Sequence, residues 1–300
     1  MTEQSELRLS AVMPAPPEAV HAALTDAAAL RVWLAEHAEV ALPDRYEFWG
    51  RYTPDGDEPR QRVLHASERA LRLAWTVGGV ETTVELTLAE PEHEEGGGTL
   101  LTLRQTDLPS FEEVLSDKAG PRGELQTFWS VALENLADYL LGRELTPKCD
   151  YTSPKLQAEV VIDAASEAVF DSFTQAEQFR KWFGANVDIE PYVGGRFAMG
   201  GFDVDPGGMK FVEFEPGHKA TLRFADGETT TWQLDGSNGQ TRLTLVQSGF
   251  DVDYPPYPGW AGWLSGLAEL RRYHEVPHWR TIWRHIEAPG IPAEMLSLDA

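Results

Sequence analysis

The sequence predicts an α+β protein built twice over: two tandem copies of one domain, each a curved antiparallel sheet wrapped around a long C-terminal helix, with two short helices. Three observations carry this. The chain repeats itself in order, each copy runs from one strand through two short helices into turn-broken strands, and each copy closes on an amphipathic helix.

The repeat is legible by sliding the chain along itself. At an offset of 149 residues Leu7 meets Leu156, Ala15 meets Ala164, and Glu18-Ala19-Val20 meets Glu167-Ala168-Val169. Thr25, Arg31 and Trp33 fall on Thr174, Arg180 and Trp182, and later Leu73 and Gly78 fall on Leu222 and Gly227. At an offset of 142, Thr99–Gln105 lies on Thr241–Gln247; at 131, Trp129, Leu133, Leu136 and Ala137 lie on Trp260, Leu264, Leu267 and Ala268. The shrinking offset reflects longer loops in copy one, near Glu90–Gly98 and Pro109–Pro121. The expected division is 1–145 for copy one, 146–154 for a linker, 155–275 for copy two, and 276–300 for an extra C-terminal helix and tail.

Each copy opens on a strand, Leu7–Met13 or Leu156–Ile162. The first short helix is expected at Pro17–Leu24 and Glu167–Phe173, the latter with Ser166 as its N-cap. The second ends at Trp33-Leu34 and Trp182-Phe183, with Thr174 and Glu177 at capping-box spacing. Strands follow, separated in copy two by Gly194-Gly195, Pro206-Gly207-Gly208, Pro216-Gly217 and Asp226-Gly227. In copy one, Val80, Thr82, Val84, Leu86 and Leu88 alternate with polar neighbours, the pattern of a strand with one covered face. The closing helices carry Leu125, Phe128, Trp129, Ala132, Leu133, Leu136 and Leu140 opposite Glu124, Glu134 and Asp138, and Trp260, Trp263, Leu264, Leu267 and Leu270.

These residues resemble the START/birch-pollen-allergen (SRPBCC) superfamily, and within it the family named after the activator of the heat-shock-protein-90 ATPase. Ala15–Val20 with Leu24-Thr25-Asp26 and Trp33 carry the likeness in copy one. Ala164–Phe170, Phe173-Thr174, Lys181-Trp182-Phe183, Val193–Phe197 and Glu213–Gly217 carry it in copy two. Pro43-Asp44-Arg45-Tyr46 departs from it, standing where the glycine pair would be, so an irregular strand is expected there. The resemblance implies a helix-grip cup around a hydrophobic cavity and supplies no catalytic residue.

Function has few other signals. A formal charge of −23 over 300 residues repels phosphate backbones and anionic lipid heads. No run of about eighteen uncharged apolar residues is present, and Met1–Leu9 carries Glu3, Glu6 and Arg8 rather than an apolar leader core, so a cytoplasmic monomer is expected, its copies paired about a pseudo-two-fold axis. The single cysteine, Cys149, excludes an intrachain disulfide. No cofactor is expected, because phosphate loops, dinucleotide fingerprints and nucleophile elbows are missing. No metal is expected either. His274 and His278 are four apart near His285, but Pro277 interrupts them. His21 and His65 face Phe170 and Phe214 in the repeat, which rules out a duplicated catalytic histidine. The acidic runs Glu92–Glu95 and Asp203/Asp205 read as solvated turns.

Rings fall where a cavity would be lined: Trp33, Trp49, Trp75 and Trp129 in copy one; Trp182, Phe197, Phe211, Phe224, Trp260 and Trp263 in copy two. Singly, each is most simply core filler; as a set they point to a site for a small hydrophobic or aromatic ligand, bound without catalysis. Two rivals stand beside this. One is a stress or co-chaperone-like interaction factor using an exposed surface; a helix over Pro277–Glu287 carrying Trp279 and Trp283 reads first as a clasp packed over copy two or across the domain interface, because exposed tryptophan stripes are costly, and otherwise as the element that docks a protein partner. The other is a cavity enzyme of cyclase, hydrolase or isomerase type, acting through a residue such as Asp251 or Arg196.

Overall fold

The computed structural model describes residues 5–91, 98–108, 121–183 and 185–286. The acidic run at 92–95, the loop at 109–120 and the tail from 287 onward lie outside them. Within the described residues the α+β reading holds. Copy one contains β1 (Ser5–Met13), α1 (Pro17–Thr25), α2 (Ala27–Trp33), β2 (His37–Ala41), β3 (Arg45–Trp49), β4 (Gln61–Ala66), β5 (Ala70–Val77), β6 (Val80–Ala89), β7 (Thr99–Leu108) and α3 (Pro121–Leu140). Copy two repeats the order as β8 (Leu156–Ile162), α4 (Ser166–Thr174), α5 (Ala176–Phe183), β9 (Val187–Ile189), β10 (Arg196–Met199), β11 (Met209–Glu215), β12 (Lys219–Arg223), β13 (Thr229–Ser237), β14 (Gln240–Ser248) and α6 (Tyr257–Glu275). A last strand, β15 (Trp283–Ile286), follows.

The chain forms two compact units. The first gathers the residues up to Ser153 with Pro256–Trp263 and the segment that carries β15; the second holds Pro154–Pro255 and Leu264–Thr281. The sheet of the second is continuous and antiparallel, ordered β8-β14-β13-β12-β11-β10-β9. In the first, the order is β15-β1-β7-β6-β5-β4, and β2-β3 form a separate hairpin. The strand expected to be irregular near Pro43 is itself regular, pairing Ala38 with Phe48 and Val40 with Tyr46. The departure lies after it, where turns from Gly50 onward separate β3 from β4.

The residues that match between copies serve the same local bonds. The Trp33 indole donates to the Ala23 carbonyl at 3.0 Å, and Trp182 to Ser172 at 2.7 Å. Thr25 and Thr174 donate to the carbonyls four residues back, His21 and Phe170, both at 2.8 Å. Arg31 reaches Ala38 and Arg180 reaches Val187; Thr99 reaches Ala15 and Thr241 reaches Ala164, both at 2.7 Å. The tryptophan bonds meet carbonyls in the last turns of α1 and α4, the threonines bond back within those helices, and the arginines tie the second helix to the strand that follows it. Thr174 is thereby engaged backward and does not cap α5. Ser166 lies inside α4 rather than at its N-cap, which is Ala165 without a side-chain bond.

Two further expectations change. The helix foreseen over 277–287 does not form; β15 instead adds antiparallel to the β1 edge, pairing Ile286 with Leu9 and Trp283 with Ala11. Its backbone groups find an unpaired strand edge, and an edge ladder outweighs a short amphipathic helix with few turns of its own. Trp283 is consequently buried (4% exposed) and donates to Glu134 at 2.5 Å, so no tryptophan-bearing helix face is offered to a partner. Trp279, half-buried, donates to Glu269 at 3.0 Å. The second change concerns α3, which is covered on the side expected to face water. Glu134, Asn135 and Asp138 are each 0% exposed. Asn135 exchanges two hydrogen bonds with the backbone of Thr146, and Thr127 donates to the Tyr257 carbonyl. The linker and the start of α6 therefore line the outer side of α3 within the first unit.

Candidate functional site

The concave face of each sheet is set by strand alternation. In copy one it carries Leu101, Leu103 and Gln105 of β7, all 0% exposed, and the helix α3 supplies Phe128 and Trp129 above them. Phe48, Trp75, Phe128 and Trp129 form a closed four-ring cluster in which every ring contacts the other three, at centroid distances of 4.8 to 6.3 Å. Edge-to-face geometry dominates, the arrangement favoured by ring quadrupoles. One polar chain threads this cluster: the Trp129 indole donates to Gln105 Oε1, Gln105 Nε2 donates to Thr82 Oγ1, and Thr82 donates to the Trp75 carbonyl, each at 2.8 Å. Copy one has filled its cup with its own side chains.

Trp49, expected on this lining, lies half-buried on the other face of β3, its ring 5.4 Å from His37. The period of a strand is two, so Tyr46 and Phe48 face inward and Trp49 cannot. The sequence reading missed Phe48, though the alternation Tyr46/Phe48 was the signal for it. Trp33 is buried as the α1–α2 latch.

In copy two Trp182, Phe179 and Phe183 form a triangle of mutually contacting rings at 4.6 to 5.3 Å, from which a row of rings extends. Trp182 contacts Phe179, Phe179 contacts Phe197, Phe197 contacts Phe211, and Phe211 contacts Phe214, at 5.1 to 6.3 Å. Phe170, Phe173 and Trp232 continue the line. Phe224, just beyond β12, is half-buried. Trp260 and Trp263, expected in this lining, belong to the first unit, where the Trp260 indole hydrogen-bonds the buried Cys149 thiol.

On β13 and β14 the pair Thr230 and Gln247 sit directly opposite each other in the ladder. They are 0% and 4% exposed, and neither Thr230 Oγ1 nor Gln247 Oε1 has a hydrogen-bond partner. Gln247 Nε2 is turned toward Glu228 at 3.4 Å, which fixes the amide orientation and leaves the oxygen pointing away. Gln247 is the repeat equivalent of Gln105. A buried acceptor left unmade costs about 1–3 kcal/mol, so this pair is the least satisfied feature of the copy-two face.

The two enzyme candidates are not in either cup. Arg196 is bound by Glu190 at 3.0 Å and stacks 3.8 Å above the Phe202 ring, while Asp251 is exposed. His274 contacts Ser172 Oγ at 2.9 Å, with burial pulling its pKa down. Among the described residues no three His, Cys, Asp or Glu side chains gather as a metal site.

A small cavity of about 10 Å³, the size of one water, lies in the first unit beside Trp33, Tyr52, Thr127, Lys148, Cys149 and Tyr151. Burial raises the Cys149 thiol well above its ordinary range, which makes it unreactive. Burial, with the Asp55 charge, pushes the half-buried Glu124 carboxyl up to about 7. Because the folded state holds this proton more tightly than the unfolded chain, the stability it gives is full below the ordinary carboxylate pKa and lost as pH rises through 7. Denaturant titrations from pH 5 to 8 are expected to show a decline in the wild type that E124Q lacks; parallel slopes would refute it.

An antiparallel sheet holding a long helix in its concavity, present twice, defines the helix-grip class of protein. The chain belongs to the family described as Activator of Hsp90 ATPase homolog 1-like protein, whose model matches residues 14–140 and 163–275. No curated protein matches it. Solved structures similar to it include DynU16 from the dynemicin biosynthetic locus (15% identity, 90% of this chain and 98% of that one, TM-score 0.35). The Aha1 dimer from Colwellia psychrerythraea (18%, 42% and 98%, 0.36) and the BPP1335 protein from Bordetella parapertussis (26%, 49% and 80%, 0.36) are similar also.

Proposed function

We propose that the protein binds a small hydrophobic or aromatic ligand without catalysis, and that it does so in the cup of copy two. Copy one is closed by its own four rings and serves as a stable companion. The observation that carries this reading is the contrast at one repeat position: Gln105 is bonded on both sides inside a filled cup, whereas Gln247 and Thr230 are buried and unmet. Trp182, Phe197 and Phe211 supply the apolar lining.

Calorimetry with naphthalene on the full chain tests it. One saturable equivalent is expected. Leu245→Trp, which places a large ring on the copy-two face, is expected to weaken binding at least tenfold while circular dichroism remains that of a folded protein. Absence of saturable binding, or an affinity that ignores the added ring in a folded variant, would remove the reading.

A further inference from the structure

We propose that the ligand of copy two is a flat aromatic molecule carrying an N–H or O–H donor on its edge, of the indole or phenol class, and that Gln247 Oε1 with Thr230 Oγ1 receives that donor. This rests on the reading of copy two as the binding cup and specifies what it accepts.

The template is inside the protein. In copy one the donor to Gln105 is an indole, that of Trp129, lying among Phe48, Trp75 and Phe128 with its N–H directed at the glutamine oxygen. The repeat matches Trp129 to Trp260, and in copy two that indole is spent on Cys149. The glutamine has been kept while its donor has been withdrawn. What remains on the sheet is an amide oxygen whose group is held by Glu228, beside the Thr230 hydroxyl at the facing ladder position, both out of water. Buried polar atoms in native proteins are met by something. A molecule that reproduces the Trp129 side chain, with an apolar ring body and one edge donor, meets the same glutamine in the same way. The acceptor also gives selectivity: a site built to accept a hydrogen bond discriminates against an isostere without the donor much more strongly than an apolar wall discriminates against a methyl group.

The test compares indole with 1-methylindole, which differ in the donor, and uses naphthalene as a probe that has none. Calorimetry on the full chain is expected to show indole binding at least tenfold tighter than 1-methylindole. Gln247→Leu is expected to bring the two within about twofold while the variant still binds naphthalene, and no more weakly than the wild type; Thr230→Val is expected to narrow the gap partially. Equal affinities of indole and 1-methylindole for the wild type would overturn the proposal, with a buried water meeting the pair, and this comparison needs no variant to fold. Discrimination that survives Gln247→Leu would overturn it as well. In either case naphthalene binding would show that the cup reading stands on its own. Failure of all three probes to bind would remove the cup reading and the donor site together.

Discussion

Replacing Trp283 with alanine is expected to destabilise the first unit by about 3–5 kcal/mol, the cost of deleting a buried tryptophan. The side chain is 4% exposed, and its indole is a donor to Glu134, a carboxylate 0% exposed on α3. The change therefore opens a void and withdraws a charge-assisted hydrogen bond from a carboxylate that water cannot reach. It also loosens β15 from β1, re-exposing the edge that the ladder from Leu9 to Ala11 now covers. Arg284→Ala, in the same strand but outward-facing, is expected to cost under about 1 kcal/mol. Urea unfolding of both variants decides the matter, and near-identical midpoints would mean that β15 is an ornament to the sheet.

Trp129→Ala is expected to have a similar cost, about 3–5 kcal/mol, and a more informative consequence. It removes one ring from a cluster in which each ring touches the other three, and leaves Gln105 Oε1 without its donor. Copy one would then hold an apolar void with one unmet acceptor, the arrangement proposed above for copy two. An apolar cavity of this kind stays dry and takes up a fitting ligand. Indole is therefore expected to raise the melting midpoint of the variant by more than it raises that of the wild type, since a ligand stabilises whatever state binds it. Trp129→Phe keeps an aromatic ring in the cluster while removing the N–H donor and part of the ring volume, and is expected to cost less than the alanine variant, about 1–3 kcal/mol. An indole effect no larger in the alanine variant than in the wild type would show that the void collapses.

Much of this was legible before any coordinates. The alternation through Val80, Thr82, Val84, Leu86 and Leu88 placed β6; the last four side chains are buried as expected, while Val80, next to the turn at Gly78-Gly79, is 38% exposed. The residues shared between copies announced the duplication, and the structure explains why those residues were kept: Trp33, Thr25 and Arg31 each bond a specific carbonyl within about ten residues, a task that tolerates little substitution. The candidate site was less legible. Trp49 was placed inward on hydrophobicity alone, although the strand period assigns that face to Phe48. Glu134 and Asp138 read as solvent-facing because periodicity describes one helix in isolation. It cannot tell whether a second layer will cover the far side.

What the sequence alone determined is whatever depends on short range: strand and helix order, the repeat, and the latches between neighbouring elements. Backbone sterics, side-chain alternation and local hydrogen bonds act within a few residues and are written in every window of the chain. The tertiary structure alone decided where the last strand goes, which face of α3 is dry, and which glutamine keeps its indole. Those outcomes turn on pairings such as Trp283 with Glu134 and Trp129 with Gln105, separated by many residues. Their energies come from desolvation and packing that exist only once the partners have met.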